Sequence, residues 1–161
     1  MKIKGLLDED FVNYKVPSLF ISTAFCSFKC DIAAGSRICQ NSVLANQPTH
    51  DINDQEIVNR YCSNRITKAI VFGGLEPFDQ IEELCALIKL FRDRMIDDDI
   101  VIYTGFNKSE VQECIELLKN ASHNRNLVIK FGRFIPDQKP HFDDVLGVYL
   151  ASENQYAERI C

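Results

Sequence analysis

The sequence is short of the features that mark membrane, secreted and nucleic-acid-binding proteins. No run of apolar residues approaches the ~20 that a membrane span needs, and the first ten residues hold no long apolar segment like that of a secretory signal. Positive charge is also scarce, because 18 Lys and Arg face 23 Asp and Glu, a net charge of -5. We therefore expect a cytoplasmic protein that neither spans a membrane nor has nucleic acid as its main partner.

The sequence also lacks signs of a second domain and of a dinucleotide-binding site. No repeat, low-complexity tract or linker interrupts the 161 residues, which predicts a single domain over 1–161. The G-x-G-x-x-G fingerprint of a dinucleotide site does not occur. No acid–base catalytic set stands out either, so the chemistry must come from another feature.

Cysteine is what the chain has in quantity, with seven residues, an odd count. In a cytoplasmic protein a cluster of cysteines indicates metal binding or catalysis rather than a disulfide framework. Three of them, Cys26, Cys30 and Cys39, fall within a loop of about residues 23–42. The other four are interpreted as small apolar residues or an incidental thiol.

Thiolates are ligands for iron–sulfur clusters and for zinc. A structural zinc site needs four ligands, and here a fourth is missing, with His50 the only histidine nearby. Three cysteines with an open fourth position favour a 4Fe-4S cluster, one iron of which is free to bind a substrate or cofactor. A zinc site and ordinary core packing remain the alternatives.

Apolar runs and amphipathic stretches alternate after the cysteine loop. The pattern predicts strands over 68–72, 100–103, 127–131 and 145–149, and helices over 54–64, 79–94 (capped by Asp79) and 108–120 (capped by Asn107). This alternation predicts an α/β fold with a mostly parallel sheet. Ligands collect at the carboxyl ends of such strands, so the cysteine loop, Gly73-Gly74 and Thr104-Gly105 should lie on one edge.

A second motif, Gly73-Gly74-Leu75-Glu76-Pro77, follows a predicted strand. Glycines there let a ligand approach the backbone closely, and a carboxylate can meet a cationic group. A plain βα turn uses the same residue types, so the motif by itself leaves both interpretations open.

Together these residues resemble the radical S-adenosylmethionine (SAM) enzymes, and most of all the activating enzymes of anaerobic, class III ribonucleotide reductases. Cys26 and Cys30 match the start of the cluster motif C-x3-C-x2-C, and Cys39-Gln40-Asn41 resembles its end. Four further segments are similar to family motifs: Gly73-Gly74-Leu75-Glu76-Pro77 to G-G-E/D-P, Thr104-Gly105-Phe106 to T-G-Y, Gly132-Arg133-Phe134 to D-G-x-F, and Ser152-Glu153-Asn154-Gln155 to S-S-N-Q. The chain departs from the pattern by six extra residues before Cys39, by the inserted Leu75 and by Phe131 in place of an acidic residue.

The resemblance implies a partial radical SAM β/α barrel in which Cys26, Cys30 and Cys39 hold the cluster and SAM binds the fourth iron. It implies SAM-binding roles for Gly73, Gly74, Glu76, Thr104, Asn154 and Gln155. The implied reaction is reductive cleavage of SAM, which installs a glycyl radical on the large subunit of an anaerobic ribonucleotide reductase, with flavodoxin or ferredoxin as electron donor. The alternatives are a radical SAM enzyme with another substrate, or a non-catalytic iron–sulfur or zinc-binding regulatory protein of the same fold.

Overall fold

A mixed seven-stranded sheet organises the chain in the computed structural model, which describes residues 1–161. Its strands lie in the order β3-β1-β2-β4-β5-β6-β9. They are β1 (Lys2–Asp10), β2 (Ser18–Thr23), β3 (His50–Asp51), β4 (Ala69–Gly73), β5 (Asp99–Tyr103), β6 (Leu127–Phe131) and β9 (Tyr156–Arg159). The strands β7 (His141–Asp143) and β8 (Val148–Leu150) form a separate antiparallel hairpin.

The four central strands, β2, β4, β5 and β6, are parallel. Every residue of β4 and β6 is buried, as is typical of strands that are covered on both faces. The outer strands pair antiparallel: β1 with β2, β3 with β1, and β9 with β6. The α/β class and the parallel centre of the sheet are thus confirmed, while the complete sheet is mixed. The sheet is open, and the likeness to a partial radical SAM barrel stays a prediction.

Helices cover one face of the sheet. They are α3 (Asp54–Ser63), α4 (Ile81–Asp93) and α5 (Gln112–Ala121), and with the sheet they enclose a core of 23 buried residues. Tyr14, Leu146 and Leu150 pack against the other face in a smaller core. Two short helices, α1 (Lys29–Ala34) and α2 (Ser42–Ala45), lie within the cysteine loop. No helix is both long and apolar enough to cross a membrane.

Three local expectations were wrong in detail. A 3-10 turn over Pro77–Gln80 precedes α4, so that α4 begins at Ile81. Pro77 starts this turn because its fixed φ suits a first helical position, and Glu76 caps it. Asp79 therefore caps nothing, and its carboxylate instead accepts hydrogen bonds from the backbone N–H and hydroxyl of Ser27.

The predicted strand over 145–149 is also displaced. Residues 144–147 form the turn of the β7–β8 hairpin, and only Val148–Leu150 is a strand. Leu146 is completely buried, so its apolar signal reflects core packing of a turn residue rather than strand pairing. Asn107, predicted to cap a helix over 108–120, instead begins the 3-10 turn Lys108–Glu110, where it forms a capping box with Glu110. The helix α5 itself begins at Gln112, with Val111 at its N-cap position.

Candidate functional site

A pocket of about 520 Å³ opens at the carboxyl ends of the parallel strands. Residues that follow or end β2, β4, β5 and β6 line it, as the topology of a parallel sheet predicts. Cys26, Cys30 and Cys39 all line this pocket. The three thiols that sequence reasoning singled out are thus brought together with the loops that follow β4 and β5.

Each cysteine sits on a different piece of the loop. Cys26 follows β2, and its sulfur accepts a hydrogen bond of 3.3 Å from the Phe28 N–H, where the backbone takes a left-handed conformation. Cys30 lies in the first turn of α1, and Cys39 follows that helix. The Glu76 N–H donates to the Phe25 carbonyl at 2.8 Å, which ties the start of the loop to the segment after β4.

The arrangement of donors distinguishes between kinds of metal centre. No group of three or more His, Cys, Asp or Glu is arranged to hold a single metal ion, whereas zinc requires its ligands to converge at about 2.3 Å for sulfur. A 4Fe-4S cluster takes each thiolate on a separate iron and so needs thiols that share a pocket without meeting at one point. The three half-buried, free thiols fit a cluster better than a zinc ion.

Without a cluster, burial favours the protonated form of the Cys26 and Cys30 thiols. Burial raises the pKa of Cys26 to about 11, and burial also raises the pKa of Cys30. Because thiolates are the ligands, metal binding at these positions must release protons. Cluster assembly is therefore favoured by rising pH.

Glu76 is the carboxylate of this pocket and is almost fully buried. It accepts hydrogen bonds from the Thr104 hydroxyl and the Gly105 N–H, both at 2.8 Å, and from the Phe78 N–H at 3.2 Å. Burial raises its pKa to about 7, and these three donors oppose that rise. The predicted residues Glu76 and Thr104 thus form one unit that ties the loop after β4 to the loop after β5.

Lys130 is a pocket residue that the motif search missed. It is the only cationic side chain in the lining, 6% exposed, and its ammonium donates to the Gly132 carbonyl at 2.8 Å. Burial lowers its pKa to about 8. One signal was available in the sequence, because Lys130 is the single charged residue of the apolar run Leu127–Phe131.

The two glycines of the loop after β4 have different surroundings. Gly74 lines the pocket, and its φ of +78° belongs to the left-handed region that favours glycine. A Cβ there would lie 2.9 Å from Leu44 Cδ2, so α2 packs directly on this backbone. Gly73 does not line the pocket and faces Phe20 and Tyr103 instead.

The two predicted residues near the carboxyl terminus also differ. Gln155 lines the pocket, where its side-chain oxygen accepts from the backbone N–H groups of Ala151 and Ser152 and its amide donates to the Gly132 carbonyl. Asn154 lies outside the lining and donates to the Arg133 carbonyl at 2.9 Å. Their roles toward SAM stay predictions, as do the other ligand assignments.

The raised pKa of Glu76 predicts a pH-dependent stability for the cluster-free protein. The folded state holds the Glu76 proton up to about pH 7, whereas the unfolded state releases it near the ordinary value of about 4.3. The stabilising contribution of the bound proton is complete below the lower value and is lost as pH rises toward 7, by about 4 kcal/mol. Urea unfolding of wild type and Glu76→Gln from pH 4 to 8 measures it.

Glu76→Gln is the reference for the pH dependence of stability, because glutamine has nearly the same shape as glutamate and does not titrate. We expect the stability of wild type relative to Glu76→Gln to fall across this window. A difference that stayed constant with pH would show that Glu76 is ionised in the folded protein throughout.

Comparison with known families bears on this pocket. A family model described as 4Fe-4S single cluster domain matches residues 16–150, which include the whole cysteine loop and all four parallel strands. No curated protein and no solved structure matches the chain significantly.

Proposed function

The chain belongs to the family of 4Fe-4S single cluster domains, and from this premise we propose that it is a radical SAM activase. Cys26, Cys30 and Cys39 would hold three irons of the cluster. One observation carries the proposal: the three thiols share a pocket with one buried carboxylate, Glu76, and one buried ammonium, Lys130. This pair of opposite charges beside the three thiols suits a zwitterion bound next to a cluster.

SAM fits that description, because its methionine end carries an ammonium and a carboxylate. Glu76 is the only acidic and Lys130 the only basic side chain in the lining. Burial drives both toward their neutral forms, raising the pKa of one and lowering that of the other. A ligand that brings the opposite charges would restore both ionised forms in surroundings where charge–charge attraction is poorly screened.

If bound together, the cluster and SAM would supply one-electron chemistry: an external donor's electron would cleave SAM to methionine and a 5′-deoxyadenosyl radical, which would take a hydrogen atom from a glycine of a partner protein. The chain's own part is to bind, orient and shield. Phe20, Tyr103 and Leu150 give the pocket apolar walls that exclude water. The hydrogen bonds of Glu76 to Thr104 and Gly105 keep the two glycine-containing loops at a fixed separation.

The proposed partner is the large subunit of an anaerobic ribonucleotide reductase, in the cytoplasm, with flavodoxin or ferredoxin as the source of electrons. Exposed apolar side chains of the cysteine loop support a protein partner at this edge. Phe25 is 40% exposed, and Ile32 and Val43 are each 74% exposed. Exposed apolar side chains on the loop that carries the proposed cluster ligands favour a protein partner there.

The experiment that tests this function is release of 5′-deoxyadenosine from SAM by anaerobically reconstituted, dithionite-reduced protein. We expect wild type to release it and the Cys26→Ala and Cys30→Ala variants to release none. Cys62→Ala is the matched control, since Cys62 is a free and exposed cysteine outside the pocket.

Addition of the partner reductase separates the alternatives. Appearance of a glycyl radical signal in the reductase would support the activase function. A protein with a full 4Fe-4S complement that released no 5′-deoxyadenosine, with or without the reductase, would contradict it and favour a regulatory iron–sulfur protein.

A further inference from the structure

We infer that Asp31 is a positioning residue that presents Cys39 to the cluster, an inference that rests on the proposed function. Eight residues separate Cys30 from Cys39. Closing a loop of this length costs little, but ordering every residue within it is expensive. A cysteine on an unanchored loop would be spread over many positions, so the chain needs a device that fixes residue 39 relative to residue 30.

The device is one carboxylate oxygen. Asp31 Oδ1 accepts hydrogen bonds from the Ile38 N–H at 2.9 Å and from the Cys39 N–H at 2.8 Å. Gly35 makes this possible, because its left-handed backbone (φ 65°) ends α1 and turns the chain back toward Asp31.

The position of Asp31 in the sequence explains how these hydrogen bonds place Cys39 relative to Cys30. Asp31 directly follows Cys30 on α1, so a single residue links the second cysteine to the third. The Asp31 carbonyl also accepts from the Ser36 N–H at 3.3 Å. The segment from 31 to 39 is therefore closed on itself at its two ends, and we call it the Asp31 clip.

A second anchor holds the chain beyond Cys39. The Asn41 side-chain amide donates to the Gly74 carbonyl at 2.5 Å, and Leu44 packs against the Gly74 backbone. Cys39 thus lies between the Asp31 clip and this anchor on the loop after β4. Loss of Asp31 would leave the sulfur tethered on one side only.

The clip is separate from the core of the protein. None of the residues of α1 is buried, and the Asp31 bonds lie within one surface loop. Removing the carboxylate should consequently change the order of the loop and leave the thermal stability of the fold unchanged. This separation lets a positioning role be distinguished from a general structural one.

The test compares Asp31→Ala, Asp31→Asn and the control Glu113→Ala, each in the full chain. Glu113, like Asp31, is an acidic residue in the first turn of its helix. Three quantities are measured: exchange of the Ile38 and Cys39 amide hydrogens in cluster-free protein, iron and sulfide per chain after anaerobic reconstitution, and the electron paramagnetic resonance spectrum of the reduced cluster.

We expect Asp31→Ala to exchange the two amide hydrogens about tenfold faster or more and to retain less than half of the cluster, with an unchanged melting temperature. Asp31→Asn keeps a side-chain carbonyl that can accept both bonds, so it should restore cluster content and spectrum. Glu113→Ala should behave as wild type.

Unchanged amide exchange in Asp31→Ala would overturn the clip. Faster exchange with wild-type cluster content and spectrum would show that the clip does not position a ligand, and would overturn the inference as well. If Cys39→Ala itself retained a full cluster, the ligand assignment of the proposed function would fail, and Asp31 would lose its role with it. Cluster loss in Cys39→Ala but not in Asp31→Ala would overturn the Asp31 inference alone.

Discussion

Cys39→Ala is expected to lose the 4Fe-4S cluster completely, whereas Cys85→Ala and Cys114→Ala keep it. Cys39 lines the same pocket as Cys26 and Cys30, and a cluster with one open iron has no ligand to spare. Cys85 and Cys114 pack against the main hydrophobic core, away from the pocket lining. Iron and sulfide analysis, visible absorption and the spectrum of the reduced cluster measure the difference after anaerobic reconstitution.

Two controls show whether cluster loss in Cys39→Ala reflects the loss of a ligand. Circular dichroism of the cluster-free variants should match wild type, because Cys39 is only half-buried and contributes nothing to the main core. Cys30→Ala should lose the cluster to the same extent, since it shares the pocket. Equal cluster content in Cys39→Ala and wild type would remove Cys39 from the ligand set and leave only the Cys26–Cys30 pair.

The parts of the fold that the sequence predicts are those with an unambiguous burial pattern. The runs that became β4, β5 and β6 are mostly apolar, because helices cover one face and the smaller core covers the other. β1 and β9 escaped notice for the opposite reason. Both are antiparallel outer strands in which most residues are half-buried or exposed, and β9 has no apolar run for a pattern to detect.

At the site, too, some residues can be identified from the sequence and others only from the structure. The three cysteines were found because residue type and spacing identify thiolate ligands without any knowledge of the fold. Gly73 and Gly74 share a motif, yet only Gly74 faces the pocket, because consecutive residues at the end of a strand point in different directions. The bonds between Asp31 and Cys39 depend on how the loop folds back, which no spacing rule contains.

Lys130→Met is expected to weaken SAM binding by roughly ten- to hundredfold while the cluster stays in place. The reason is loss of the only cation in the pocket, since a hydrogen bond to a charged group contributes about 1.5–3 kcal/mol, equivalent to one or two powers of ten in Kd. Methionine preserves the length and apolar stem of lysine. Equilibrium binding of SAM to reconstituted protein, with cluster content measured on the same samples, gives the effect.

The same change should make the cluster-free protein more stable, by up to about 3 kcal/mol at pH 7. Burial lowers the pKa of Lys130 to about 8, below its ordinary value of about 10.4. The unfolded state therefore holds the proton more tightly between those two values, and this penalty on the folded state is complete below pH 8 and disappears as pH rises to 10.4. Urea unfolding of wild type and Lys130→Met at pH 7 to 10 follows it.

Lys89→Met is the matched control, because Lys89 is exposed on α4 and pairs only with Asp93, four residues on. It should leave SAM binding unchanged and alter stability by less than about 0.5 kcal/mol. Unaltered SAM affinity in Lys130→Met would end the carboxylate-binding role, and a less stable variant at pH 7 would contradict the burial penalty. If Lys130→Met is more stable than wild type yet binds SAM poorly, the buried lysine destabilises the fold and is present because its charge binds the ligand.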